Sequence, residues 1–417
     1  MPAPRKILTL SAIGLDSPGL VSRITAPIYR LNGNIIDVEE NCRKGLFSIF
    51  LAIDFTSSSL PAEEIREKLK GIEKETDLKV ILGECGDSKP AVPREPNHLF
   101  VTILGVDRPG IISRVSSLTH RHNANIESCR MIARGTFFSM EMAIAVDDVR
   151  TGERETLDEA VDRMKAELKD LCTELKQSVV VQNESAYRQA KKIVVFDIEV
   201  CLIPDKASRR FLDNLNEILA PLDRRIEPPA EQGLWAQAVA DQAHQLKGLS
   251  VQALQSAGKA LEFHDGVPEL ISILKSMGYK VAFLSTGLDC FLRHMYEIQA
   301  LDYAFCNSMH FQEDGTAAGT LEEPVLTSAT KNEILEFIMN VENIRRDQVV
   351  AVGDGSPRSR FMKDVGLSIA CMPGGTAAPV DGIFSSHHML NILYCLGLSD
   401  ADLKRYRETV PSPERVE

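Results

Sequence analysis

Ile193-Val194-Val195-Phe196-Asp197-Ile198-Glu199-Val200-Cys201 is the stretch on which the fold turns. Its short run of β-branched and aromatic residues reads as a buried strand, and it ends on a carboxylate. Gln348 to Val352 repeats the form and runs into Gly353-Asp354-Gly355-Ser356-Pro357-Arg358. Strand-like runs at Lys280 to Leu284 and Leu367 to Cys371, with helical segments between, complete the pattern of a parallel α/β sheet. Open sheets of this kind bind ligands beyond the carboxyl ends of their strands, where both Asp loops fall. Two carboxylates meeting there suit a hard cation such as Mg2+ and a phosphate group. Pro204 to Glu262 lacks strand signals and is rich in Ala, Gln, Leu and Glu, so a small helical cap is expected after the first strand.

Upstream lies an internal repeat. Gly14-Leu15-Asp16-Ser17-Pro18-Gly19-Leu20-Val21-Ser22-Arg23-Ile24 recurs as Gly105-Val106-Asp107-Arg108-Pro109-Gly110-Ile111-Ile112-Ser113-Arg114-Val115. The register holds without a gap through Asn32 and Asn34 against Asn123 and Asn125, to Phe47-Ser48 against Phe138-Ser139. Each copy reads as strand, Pro-Gly turn, helix of period near 3.6, two alternating stretches, a second helix and a last strand. That βαββαβ order is ferredoxin-like. The proline-rich stretch Gly86 to Pro96 reads as a linker between the copies. The expected division is 1–86 and 97–182 for the copies, then 191–400 for the α/β part with its cap at about 204–262.

The whole chain bounds the function. With 417 residues, 44% apolar and 25% charged, it has the composition of a soluble globular protein of several domains. A formal net charge of −12 argues against nucleic-acid and anionic-membrane partners, which need a basic footprint. No apolar run approaches the ~20 residues that span a bilayer. The start lacks the apolar core of a secretory signal. Nine cysteines without metal-type spacing fit reduced thiols, so a cytoplasmic protein is expected.

With their D-x-P-G turns, the paired copies resemble ACT domains, regulatory modules that often bind amino acids. The α/β part resembles the haloacid dehalogenase superfamily, and within it the phosphoserine phosphatase family. The resemblance implies Asp197 as the nucleophile that forms an aspartyl-phosphate, with Glu199 at the acid/base position. Ser285, with Thr286 and Gly287, matches the phosphate-binding turn after the second core strand, and Lys331 matches the lysine that neutralises the transferring phosphoryl group. Asp354 is the implied Mg2+ ligand with Asp197 and position 199, the last through its main-chain carbonyl. Lys206 falls where the family holds the substrate's amino group. In the ACT-like copies, Asp16, Gly19 and Asn34, and Asp107, Gly110 and Asn125, match positions that contact a bound amino acid.

Six positions depart from the family pattern, among them Thr286 for a Gly and Lys206 for a Glu. Glu199 stands for an Asp, Pro357 for an Asn and Arg358 for a second Asp, and no Arg lies between Arg225 and Arg293 to hold a substrate carboxylate from the cap. Two readings therefore stand. One is a Mg2+-dependent phosphomonoesterase acting on phosphoserine or a relative, dimeric and regulated by an amino acid. The other is a phosphatase-fold protein that senses amino acids or binds a partner without turnover.

Overall fold

The computed structural model describes residues 6–84, 97–133, 137–226, 239–297, 301–328, 330–356, 359–371, 379–386 and 388–409. They fall into two compact units, Met1–Glu95 and Pro96–Glu417. In the first, β1 (Ile7–Leu15), α1 (Leu20–Arg30), β2 (Asn34–Arg43), β3 (Leu46–Asp54), α2 (Ala62–Thr76) and β4 (Lys79–Glu84) adopt the βαββαβ order. The antiparallel sheet runs β2-β3-β1-β4. Because successive strand residues point to opposite faces, Leu8, Leu10, Ala12, Ile49, Leu51 and Ile53 turn inward. They meet Leu20, Ile24 and Ile28 of α1 and Ile65, Leu69 and Ile72 of α2. Across the same strands Ile13, Leu15, Leu46, Phe50 and Ile81 stay exposed.

The second unit opens with the same order: β5 (His98–Val106), α3 (Ile111–Arg121), β6 (Asn125–Ala133), β7 (Phe137–Ala145), α4 (Leu157–Glu174) and β8 (Ser178–Asn183). A Thr156–Glu159 capping box starts α4. At the heads of α1 and α3, Gly19 and Gly110 have φ of 85° and 93°. That left-handed backbone is one only glycine adopts freely.

A short helix α5 (Glu184–Arg188) leads into β9 (Ile193–Asp197), α6 (Ile198–Cys201) and α7 (Asp205–Leu219). Helices α8 (Val239–Gln245) and α9 (Val251–Gly258), within the segment expected to form a cap, precede α10 (Val267–Ser276), β10 (Lys280–Leu288), α11 (Asp289–Glu297) and β11 (Tyr303–Asn307). A small hairpin, β12 (Met309–Phe311) with β13 (Ala317–Leu321), comes before α12 (Lys331–Glu342) and β14 (Val349–Gly353). The described chain closes through β15 (Leu367–Cys371), β16 (Gly382–Phe384), α13 (Ile392–Cys395) and α14 (Asp400–Thr409). Alternate residues of β9, β10 and β14 feed two layers. Val194, Phe196, Val281, Phe283, Val350 and Val352 enter one, and Ile193, Val195, Ala282, Leu284, Val349 and Ala351 the other. Burial on both faces explains why these strands are continuous apolar runs rather than alternating ones.

The two parts of this unit share one ten-stranded sheet, β11-β10-β9-β14-β15-β16-β8-β5-β7-β6. At the seam β16 pairs antiparallel with β8, Gly382 opposite Val180 and Ile383 opposite Val179. A Cβ at Gly382 would meet Val180 Cγ2 at 2.7 Å, so only glycine lets the strands approach. The Val181 amide donates to Asp381 O at 2.8 Å, the Ser385 amide to Ser178 Oγ at 2.8 Å, and Lys169 of α4 donates to Val380 O. The sequence holds no sign of this join, because Gly-Ile-Phe is too short to show a period. Among the described residues no helix is long and apolar enough to cross a membrane.

Candidate active site

β9 ends in Asp197, opposite Leu284 of its parallel neighbour β10, so Ser285-Thr286-Gly287 come next along β10, and on its other side β14 ends in Gly353 with Asp354 following. Three sequence-distant groups thus meet at one sheet edge. Lys331, at the start of α12, comes in over them with its ammonium 2.7 Å from Asp197 Oδ2 and 3.8 Å from Glu199 Oε2. Asp197, Glu199, Ser285 and Lys331 are all buried. Four of the expected residues are therefore brought together, with Thr286 and Gly287 beside them.

Glu199 does not face an open approach. Its Oε1 accepts the Ser285 hydroxyl at 2.5 Å, the Thr286 amide at 2.6 Å and the Gly287 amide at 3.0 Å. Three convergent donors form an anion nest, and the side chain fills it. Its other oxygen takes none of the nest donors and faces Lys331 Nζ at 3.8 Å. Asp197 Oδ1 is buried and without a donor.

Two carboxyls and one ammonium share this low-dielectric volume, so the charges are not balanced. Burial pushes the Asp197 carboxyl up to about 8, against the pull of Lys331 and with repulsion from Glu199 adding to it. Burial also opposes charge on Glu199, but the charge of Lys331 and hydrogen bonds from the Asp197 carboxyl and the Ser285 hydroxyl outweigh it and hold its carboxyl below the usual glutamate range. The ammonium of Lys331 is disfavoured by burial, yet Asp197 and Glu199 together hold it above the ordinary lysine value.

The site suits a divalent cation. An unpartnered carboxylate oxygen on Asp197, held back from ionising by burial, is a group that a hard cation would complete. Asp354 stands one residue past β14, whose Val352 pairs with Phe196. Its Oδ1 accepts the Ser356 amide at 2.9 Å and the Ser359 hydroxyl. Among the described residues no three His, Cys, Asp or Glu side chains converge as a ready-made cage. Two carboxylates with carbonyls and water are the Mg2+ pattern rather than the zinc one.

Asn307, buried at the end of β11, was not singled out by sequence as a site residue. Its Nδ2 donates to Thr286 O at 2.8 Å and Leu326 O at 2.9 Å, and its Oδ1 accepts the Leu326 amide at 2.7 Å. It thereby fixes the turn that carries the nest. A polar residue closing an otherwise apolar strand was the available signal. Lys206 is exposed on the first turn of α7 and makes no hydrogen bond or ion pair among the described residues, so it is not gathered into the cluster. Pro357 and Arg358 lie outside the described residues.

At the helix heads of the two copies, Asp16 donates its amide to Gly45 O at 2.9 Å, while Asn34 and Asn125 open β2 and β6. Asp107 is exposed just before Gly110.

Residues 97–182 match the model of the ACT domain, and residues 149–366 match that of the haloacid dehalogenase-like hydrolase. A phosphoserine phosphatase of Archaeoglobus fulgidus is 28% identical over 309 residues, which cover 73% of this chain and 86% of that protein. One from Methanocaldococcus jannaschii is 31% identical over 187 residues, 43% of this chain and 85% of the relative. Among solved structures, that of a probable phosphoserine phosphatase from Vibrio cholerae shares the fold. It has a TM-score of 0.50 at 17% identity, covering 75% of this chain and 89% of that one. Since the hydrolase match takes in more than half of the chain and every strand end that builds the nest, the chain belongs to the haloacid dehalogenase-like hydrolase family, with an ACT domain joined to it.

Proposed function

We propose that the protein is a Mg2+-dependent phosphomonoesterase that hydrolyses phosphoserine through an aspartyl-phosphate on Asp197. One observation carries the reading: Lys331 lies 2.7 Å from Asp197 in a buried pocket that also holds the three nest donors. Such an arrangement neutralises a nucleophilic carboxylate and cradles phosphoryl oxygens. The substrate is taken from the relatives, whose names say phosphoserine.

Asp197 attacks phosphorus while the Ser285 hydroxyl and the Thr286 and Gly287 amides hold the phosphoryl oxygens. Asp197 passes its proton to the neighbouring Glu199 as it attacks, and Glu199 hands that proton to the leaving serine oxygen before taking one from the water that cleaves the acyl-phosphate. Lys331 offsets charge on both carboxylates and on the transferring group. Mg2+, held by Asp197, Asp354 and the Glu199 main-chain carbonyl, would supply Lewis-acid neutralisation of those oxygens. An amino acid bound near Asp16, Gly19 and Asn34, or near Asp107, Gly110 and Asn125, regulates the enzyme, and pairing of ACT-like copies makes it a homodimer. Phosphate release from L-phosphoserine with Mg2+ tests the reading. Release is expected to vanish with EDTA and in Asp197→Asn; a parent rate equal to that of Asp197→Asn would end it.

A further inference from the structure

An acid/base group has to face the leaving oxygen, yet the Glu199 carboxylate sits in the place a phosphoryl oxygen needs. Its Oε1 takes all three nest donors, at 2.5, 2.6 and 3.0 Å. Charge-assisted bonds of this kind are about twice as strong as neutral ones. The fit is one-sided, since all three nest donors go to Oε1 while Oε2 faces Lys331 Nζ at 3.8 Å. A tetrahedral dianion has more oxygens to satisfy the same pocket than a carboxylate anchored by one. An aspartate here would be one methylene shorter and would fall short of the nest.

Resting on the phosphatase reading above, we infer that Glu199 is a tethered internal anion that plugs the phosphoryl nest of the resting enzyme. An incoming phosphoryl group displaces it, and the displaced side chain is thereby freed to swing toward the leaving oxygen. Substrate and inorganic phosphate both compete with this side chain, so Glu199 sets the affinity of the site for tetrahedral oxyanions. Binding of the phosphoryl group and release of the Glu199 side chain become one event.

The test is calorimetric titration of the full chain with inorganic phosphate at fixed Mg2+, comparing the parent with Glu199→Asp. Aspartate keeps the charge and loses the reach. A plug predicts that Glu199→Asp binds phosphate about tenfold tighter, equivalent to roughly 1.4 kcal/mol. Simple charge repulsion predicts no gain, and an unchanged or weaker affinity overturns the inference. Ser285→Ala gives a second measurement that does not depend on that variant folding. Removing the hydroxyl weakens plug and phosphate alike, so phosphate affinity should stay within about threefold of the parent, a larger loss overturning the idea. L-Phosphoserine hydrolysis by the parent is monitored in parallel. Turnover without a gain in Glu199→Asp sinks the plug alone; neither turnover nor phosphate binding in the parent sinks the phosphatase reading with it.

Discussion

Ile81 and Val180 occupy the same place in the two βαββαβ copies, and their surroundings differ completely. Ile81 of β4 pairs with Ser11, and Val180 of β8 pairs with Thr102, the repeat counterpart of Ser11. Ile81 is 58% exposed and Val180 1%. Local pattern made both strands alike; the chain beyond each strand made them different. After β4 comes the proline-rich stretch from Gly86, whereas after β8 come α5 and β9, and β16 returns to pair with β8. The second copy also gains contacts through α5. Tyr187 stacks on Phe100 with centroids 4.0 Å apart and donates to Glu141 Oε2 at 2.7 Å. One repeat thus forms a four-stranded sheet of its own, and the other is part of the ten-stranded sheet whose strand ends gather Asp197 and Ser285.

The most severe way to break that contrast is one substitution made twice. Val180→Lys puts an unpaired ammonium into the seam and is expected to cost roughly 3 kcal/mol or more, whereas Ile81→Lys should stay within about 0.5 kcal/mol. Urea unfolding of the two variants measures both, and equal losses would refute the account of the seam. Gly382→Val comes next. Its Cβ would meet Val180 Cγ2 at 2.7 Å and Val179 O at 3.2 Å, so about 2 kcal/mol of overpacking is expected, with phosphate release falling only as far as folding does.

The smallest effect concerns His98, whose repeat counterpart is Ile7. Its ring nitrogens lie 2.7 Å from Glu127 and 3.3 Å from Glu184. The hydrogen bond with Glu127 chiefly raises its pKa, burial opposes, and Glu184 adds to the rise. A raised folded-state pKa means the contribution is fully present below the ordinary histidine value near 6.5 and is lost as pH rises through the higher one. His98→Gln is expected to flatten stability across that window by less than about 1 kcal/mol. A pH series of thermal melts checks it, and an unchanged slope would remove His98 from the contrast.

Much of this was legible in the chain. The repeat exposed both βαββαβ units because a 3.6-period helix and alternating strands survive in each copy. Asp197, Lys331 and Asp354 could be placed because each sits at or next to the end or start of a regular element, and Ser285 because it follows the last β10 residue paired with β9. The seam was hidden, since three residues of β16 carry no periodicity and its partner lies about 200 residues upstream, a separation of roughly the length of a domain. Sequence showed that Glu199 is longer than aspartate but not where that length would lead, which depends on the direction of donors from another strand. Asn307 acts through its amide on two backbones, a role that composition does not mark. The exposure of Lys206 likewise results from the rotation of α7, whose buried face is set by Ala207, Phe211, Leu212 and Leu215.

The covalent step through Asp197 is the centre of the account, and it can be read directly. The full chain is quenched during turnover of L-phosphoserine with Mg2+, reduced with borohydride, digested and analysed by mass spectrometry. An acyl-phosphate on Asp197 is expected to appear as homoserine at that position and nowhere else. Turnover with Asp197 recovered intact, or homoserine at another carboxylate, would contradict it.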